Sequence, residues 1–442
     1  HHLTAWNMLN DGGLHTNRTS CSKGWKNLDC RMEFLHLQRM SSSHTIPIQN
    51  NPFLKDSERP AVQVQWGLGP YENTKAALSK IDLSAAHGKR VLLKPNAGRL
   101  AAEDSGVVTN SQVVAAAIDA FRDAGAEVAI GESPIVGIKT MEAYEQCGLA
   151  VMARERNCPL IDMDVRKPEI VPIPDGRAIQ EIKLCADVQD FDFIVSIPVM
   201  KMHMHTVATL SIKNMKGCLW RRSKVDLHML PPTPGHENDK SLNVAIADMA
   251  TILRPHLAII DGTVGMEGLG PSAGEAKPVN VVVVGADPFA ADAVACQIMG
   301  LSAEEVPHLR MSAERGIGVI DLEQIDVSPT NWKETITPFE RVPENLSIQF
   351  PNTTILDEKS CSACQSTLLL FLKRYGEEML QYFPCDLPIH IAIGKGHEEL
   401  PENTILIGNC TRAHKEGRIF VAGCPPVGSA IINKIRDSRA DS

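Results

Sequence analysis

What most constrains this chain is its rhythm from residue 60 onward. Short apolar, largely β-branched runs alternate with longer stretches of helical spacing. RVLLKPN (90–96) reads as a strand ending in polar residues. NSQVVAAAIDAFRDAGA (110–126) reads as a helix with an Asn or Ser cap and a glycine exit, and EVAIGESP (127–134) as the next strand. DFDFIVSIPVMKMH (190–203), HLAIIDGTVGMEGLGP (256–271) and PVNVVVVGADP (278–288) repeat the arrangement. Strands that are apolar throughout and separated by helices predict an α/β fold, a mainly parallel sheet with helices on both faces.

A chain of 442 residues exceeds one compact core, so two domains are expected. Residues 55–335 carry the alternation just described. Residues 336–442 read as a smaller C-terminal α/β domain bearing cysteines. Residues 1–54 are expected to be a poorly packed tail: the first 40 show no sustained period of 2 or 3.6, and Met40 offers an alternative start to a foreign extension. The net charge of -9 and an aromatic content of 5% argue against nucleic acid. No apolar run reaches the roughly 18–20 residues that span a bilayer. Cys147, Cys158, Cys185, Cys218 and Cys296 sit singly in apolar surroundings and read as buried free thiols, which favours a reducing, cytoplasmic setting.

In parallel sheets ligands gather beyond the carboxyl ends of the strands. The polar residues there are Lys94, Asn96, Glu132, Ser133, Lys201, His203, His205, Asp261, Glu267 and Asp287. KMHMHTVATLSIKNMKG (201–217) is the densest stretch. If its strand continues, period 2 puts Lys201, His203 and His205 on one face. Lys213, Asn214 and Lys216 follow and suit an anionic ligand such as phosphate or carboxylate. The glycine-rich DGTVGMEGLGPSAGEAK (261–277) lacks both the Walker Lys-Ser/Thr pair and a G-x-G-x-x-G opening, yet its position after a strand makes Gly268 and Gly270 candidates for the rim.

The order KPN, GESP, VSIPVMKMHMHTVATLSIKNMKG, IIDGTVGMEGLGP and GADPFAADAVACQIMG resembles the family known as domain of unknown function 362, over about residues 60 to 330. Lys201, His203, Thr206, Lys213, Asn214 and Gly217 carry that resemblance. It implies association with iron–sulfur ligand motifs, usually a ferredoxin-type cysteine run, which this sequence lacks.

Cysteines instead recur near the C-terminus. Cys361-x-x-Cys364 opens an amphipathic helix, while Cys410 and Cys424 each close a strand-like run, the second followed by Pro425 and Pro426. Four thiolates from such loops can meet at the edge of a small parallel sheet, where they suit an iron–sulfur cluster or tetrahedral zinc. The prolines hold Cys424 out of helical geometry and stop its strand. Cys385 lies before its strand and reads as a bystander. The GNC and GCPP loops resemble those of the cluster-carrying small subunit of respiratory complex I and nickel–iron hydrogenases, although the first pair, CSAC, departs from that pattern. The resemblance implies one [4Fe–4S] cluster, with zinc as the alternative.

The expected function is an iron–sulfur protein, an electron carrier or oxidoreductase that reduces a small anion. His203, Lys201, Glu132 and Glu267 are the expected catalytic groups. Lys94, Asn96, His205, Lys213, Asn214, Asp261, Gly268 and Gly270 are expected to bind the anion. A redox protein is the expected partner. The alternatives are a non-catalytic redox or maturation partner of another enzyme, or a hydrolase or transferase with structural zinc.

Overall fold

Alternate residues along the central strands enter two different cores. Leu92, Ile260, Val281 and Val283 pack into one, and Val91, Leu93, Ile259, Val282 and Val284 into the other. Side chains that alternate across a strand can all be apolar only if both faces of the sheet are covered. The structure, a computed structural model, describes residues 51–54, 59–342, 350–385 and 387–440. The tail expected over residues 1–54 therefore lies outside the described residues up to position 50. Residues 51–54 are docked: Asn51 Nδ2 donates to the carbonyls of His256 and Ala286, and Phe53 is buried edge-on against Phe193 and Phe121.

The strands are β1 Ala61–Trp66, β2 Arg90–Pro95, β3 Glu127–Glu132, β4 Leu160–Asp162, β5 Glu169–Pro172, β6 Glu181–Leu184, β7 Phe193–Ile197, β8 Val199–His203, β9 Val207–Thr209, β10 Leu257–Glu267, β11 Glu275–Gly285, β12 Asp326–Ser328, β13 Thr353–Glu358, β14 Ile389–Gly394, β15 Ile405–Ile407 and β16 Phe420–Val421. The large sheet runs β12-β1-β11-β10-β7-β2-β3-β4, with β8 and β9 added beside β10, and β5 pairs β6 separately. From β10 to β4 the pairings are parallel, so the α/β architecture is as the sequence predicts.

Two strands run the other way, the short β9, antiparallel to β8, and β11. β11 pairs β10 antiparallel, from Ala258↔Gly285 to Glu267↔Glu275, as the return arm of a hairpin. Its carboxyl end therefore lies at the opposite edge from those of β2 and β3. This removes Asp287 from the expected rim. Its Oδ1 instead accepts from the amides of Phe289 and Ala290 and caps the helix Pro288–Ile298.

The second sheet, β13-β14-β15-β16, is parallel throughout. It buries its own core against the helices Ser362–Leu380 and Gly428–Ala440, with Ile391, Leu368, Phe371 and Ile431 among its buried residues. Cys361, Cys410 and Cys424 all follow the carboxyl ends of its strands, while the exposed Cys385 precedes β14, at the amino edge. The five singly placed cysteines of the main sheet are buried and free, as expected.

Candidate functional site

Between the rim of the large sheet and the cysteine-bearing segments lies a cavity of about 450 Å³. Its wall contains seven cationic side chains, Lys94, Arg99, Lys201, Lys213, Lys216, Arg222 and Lys224, and a single carboxylate, Glu132. His203, His228, Ala363, Ser366, Cys424, Pro425 and Pro426 complete the part that matters chemically.

The one carboxylate is committed. Lys94 at the end of β2 and Glu132 at the end of β3 are 1% and 2% exposed, and Nζ lies 2.7 Å from Oε2. Glu132 also accepts from the amides of Ala97 (3.1 Å) and Ser133 (2.9 Å). Lys94 further donates to Pro95 O and to Asn214 Oδ1. Asn214 uses its amide group fully, donating to Lys94 O and Ser196 Oγ and accepting from Asn96 Nδ2. Asn214 is thus the clamp that fixes the Lys94 end of the pair. Gly217 is required here by proximity, because a Cβ would fall 2.6 Å from Lys94 Nζ and also against Glu132 Oε1.

Arg222 has Asp226 3.8 Å away, while the hydrogen-bond partners of the other lysines are neutral. Lys201 donates to Asn96 Oδ1 (2.6 Å) and Val107 O (2.8 Å), and Lys213 to Thr209 Oγ1 (3.2 Å). Lys216 lies 2.6 Å from His228 Nε2, while Lys224 donates to Ser133 Oγ and Leu219 O. Burial, then mutual repulsion, pushes the ammonium groups of Lys201 and Lys216 well below the ordinary lysine range. Lys213 is brought down to about 7 by burial and by Arg99. A concave site with this much uncompensated positive charge favours an anion.

Lys201 and His203 line the cavity from β8, but His205 does not. The strand stops at His203, and the chain reverses through residues 204–206 into β9, with Val207 held at φ 65°. A β-branched residue in that region is strained, so the turn is imposed by its surroundings. His205 is carried behind the wall, where Nε2 meets Ser366 Oγ (2.8 Å) and Nδ1 meets Lys240 Nζ (3.0 Å). Burial and Lys240 lower its pKa to about 3. His203 is likewise held neutral by burial and by Lys213, with Nδ1 accepting from the amide of His205. Its proton therefore sits on Nε2, making it a neutral hydrogen-bond donor.

Other expected residues are structural. The Asp261 carboxylate accepts from the amides of Asn110 and Thr263, anchors the start of the helix Ser111–Asp123, and is raised to about 6 by burial. Glu267 accepts from Lys277 Nζ (2.6 Å) and the amide of Glu340 (2.8 Å), outside the cavity wall. Gly268 donates its amide to Glu340 O, and Gly270 packs so closely on Met202 O that a Cβ there would collide with it. The glycine-rich loop therefore buttresses β8, and only its Pro271 reaches the cavity. Sequence reasoning did not assign Arg99, Arg222, Lys224 or His228 to the site. For Arg222, Lys224 and His228 the basic cluster in WRRSKVDLH, just after Gly217, was the available signal.

The four cysteines gather at the carboxyl edge of the second sheet. Cys361 precedes the first turn of the helix Ser362–Leu380, and the Cys364 thiol and nearby backbone amides lower its pKa to about 6. Cys364 is pushed up, by its hydrogen bond to Cys361, by burial, and by the negative charge of Cys361, Cys410 and Cys424. Cys424 Sγ lies 3.4 Å from Met229 Sδ, and Arg222 Nη2 donates to Cys424 O. Among the described residues, no three His, Cys, Asp or Glu side chains stand together tightly enough to hold a single metal ion. One Lys–His–Ser chain, Lys216–His228–Ser362, ties the cavity wall to the cysteine helix, and a second, Lys240–His205–Ser366, meets that helix from behind the wall.

Residues 91–297 match the family model described as Domain of unknown function (DUF362). The matched stretch carries Lys94, Glu132, Lys201, His203, Lys213, Lys216 and Lys224, and it ends before the four cysteines. The Thylakoid-associated protein sll1697 of Synechocystis sp. (strain ATCC 27184 / PCC 6803 / Kazusa) is 25% identical over 309 residues, 70% of this chain and 88% of that protein. The structure of the lactate racemase apoprotein from Thermoanaerobacterium thermosaccharolyticum aligns with 57% of this chain and 59% of its own, at 14% identity and a TM-score of 0.38. Among the described residues, no helix is long and apolar enough to cross a membrane.

Proposed function

We propose that this protein binds a small, multiply charged anion in the cavity and reduces it, with a [4Fe–4S] cluster held by Cys361, Cys364, Cys410 and Cys424. The observation that carries the reading is one wall that combines seven cations, one committed carboxylate and Cys424. When bound, such a cluster supplies single electrons.

The donor set fits the group. Four thiols share one edge, and the charge of three of them opposes ionisation of Cys364, a repulsion that a bound cationic centre relieves. A single zinc would draw four sulfurs to about 2.3 Å from one point. Cys410 is exposed, which leaves an edge open to a redox protein.

In this reading Lys201, Arg99 and Lys216 hold the anion, and neutral His203 donates a hydrogen bond from Nε2. Reduction of an organic anion also consumes protons. Lys213, brought down to about 7, is the group in the wall able to give one up near neutral pH. Glu132 and Lys94 hold each other and the wall in place.

The test is anaerobic purification, a visible spectrum, and iron, sulfide and zinc analysis on one sample. About four irons per chain, with colour bleached by dithionite, supports the reading. A colourless protein with about one zinc per chain overturns the redox part and leaves anion binding to be judged by titration.

A further inference from the structure

A second cavity, of about 560 Å³, adjoins the first. The two share Arg99, Val107, Ile135, Leu370, Val427 and Gly428 as common wall. Beyond that wall the character changes. The second cavity adds Leu100, Ala101, Ile138, Ala273, Phe371 and Tyr375, and no carboxylate. Its own cations are occupied: Lys373 donates to Ala273 O and pairs with Glu275 at 2.9 Å, and the Arg374 guanidinium lies over the Tyr375 ring at 5.2 Å.

The shared mouth also leaves apolar side chains in water. Val427 is 65% exposed, Val136 53% and Leu100 47%. Three large apolar residues around one opening expose surface that a ligand's apolar part would cover. Arg99 stands at the junction, half-buried and with no hydrogen-bond partner among the described residues.

We infer that the ligand is a two-part molecule: a compact anionic head bearing phosphate or carboxylate in the lysine-lined cavity, and an apolar arm that passes Arg99 into the second cavity, lined by Leu100 and Ile138. This rests on the anion-binding reading above and adds the chemical class of the ligand. A small inorganic anion fills only the first cavity and leaves the apolar mouth in contact with water.

The experiment is calorimetric titration of the full chain with pyrophosphate, butyl phosphate and octyl phosphate, the last kept below micelle-forming concentration. A buried methylene strengthens binding roughly threefold to fourfold. Octyl phosphate is therefore expected to bind at least about tenfold more tightly than butyl phosphate, even if half of the added chain stays wet. Ile138→Ser, which changes the second cavity only, should bring the octyl-to-butyl ratio down towards one. Equal affinity for the two alkyl phosphates, with pyrophosphate still bound, overturns the two-part ligand and leaves the anion site standing. A tenfold gain that survives Ile138→Ser and a matching Leu100→Ser places the arm elsewhere and overturns it too. Binding of none of the three overturns both readings together.

Discussion

Replacing Glu132 with Gln removes the only carboxylate in the cavity wall while keeping its shape. The Lys94–Glu132 pair is 2.7 Å apart and almost fully buried. At an effective dielectric of about 20, two unit charges at that distance attract by about 6 kcal/mol. Lys94 keeps Pro95 O and Asn214 Oδ1 after the change, and the amide oxygen can still accept hydrogen bonds at one of the two carboxylate positions. The substituted NH2 group, however, must face a donor, whether Lys94 Nζ or the amide of Ala97 or Ser133. Breaking one side of a buried pair costs about 3–5 kcal/mol, and we expect E132Q to fall in that range. Urea unfolding of the full chain, followed by intrinsic fluorescence, measures it. The freed charge of Lys94 also makes the variant gain more stability from added sulfate than the parent does, because ligand binding to the folded state alone is stabilising. A loss below about 1 kcal/mol, or no extra response to sulfate, would refute the claim that this carboxylate compensates a buried lysine.

Sulfate affinity should fall between about pH 6 and about pH 9, because Lys213 loses its charge near 7 while sulfate keeps its own. Without an anion the sign reverses for folding: the unfolded lysine holds a proton that the folded one sheds, so Lys213 contributes more stability as pH rises from about 7 toward the ordinary lysine value. Lys213→Gln should flatten both trends, and titrations at fixed ionic strength check it. Gly217→Ala should destabilise the fold by about 1–3 kcal/mol, as overpacking does, and weaken sulfate binding by displacing Lys94 and Glu132. An unchanged urea midpoint and unchanged sulfate affinity would contradict it.

Local pattern determined a good deal of this protein. Runs such as RVLLKPN and FDFIVSIP are apolar on both faces, which only a covered, largely parallel sheet tolerates, and the helix caps at Asn110 and Asp287 sit where turn chemistry puts them. Lys201, His203 and Lys213 were legible because cations interleaved with buried apolar residues have no role in a strand interior. The cysteines were legible because each follows a strand-like run. Tertiary structure decided the rest. VNVVVVG is the same string whichever way its strand runs, so only pairing with β10 shows that it is antiparallel and that Asp287 lies at the far edge. Asp261 and Glu267 have the composition of site residues, but their partners, Asn110, Lys277 and Glu340, are 151, 10 and 73 positions away. The bend that turns His205 out of the wall and the meeting of Lys94 with Glu132, 38 residues apart, also depend on contacts that no short window contains. Hydrophobic periodicity reports which face is buried. The direction a strand runs, and which charges it brings together, come from long-range packing.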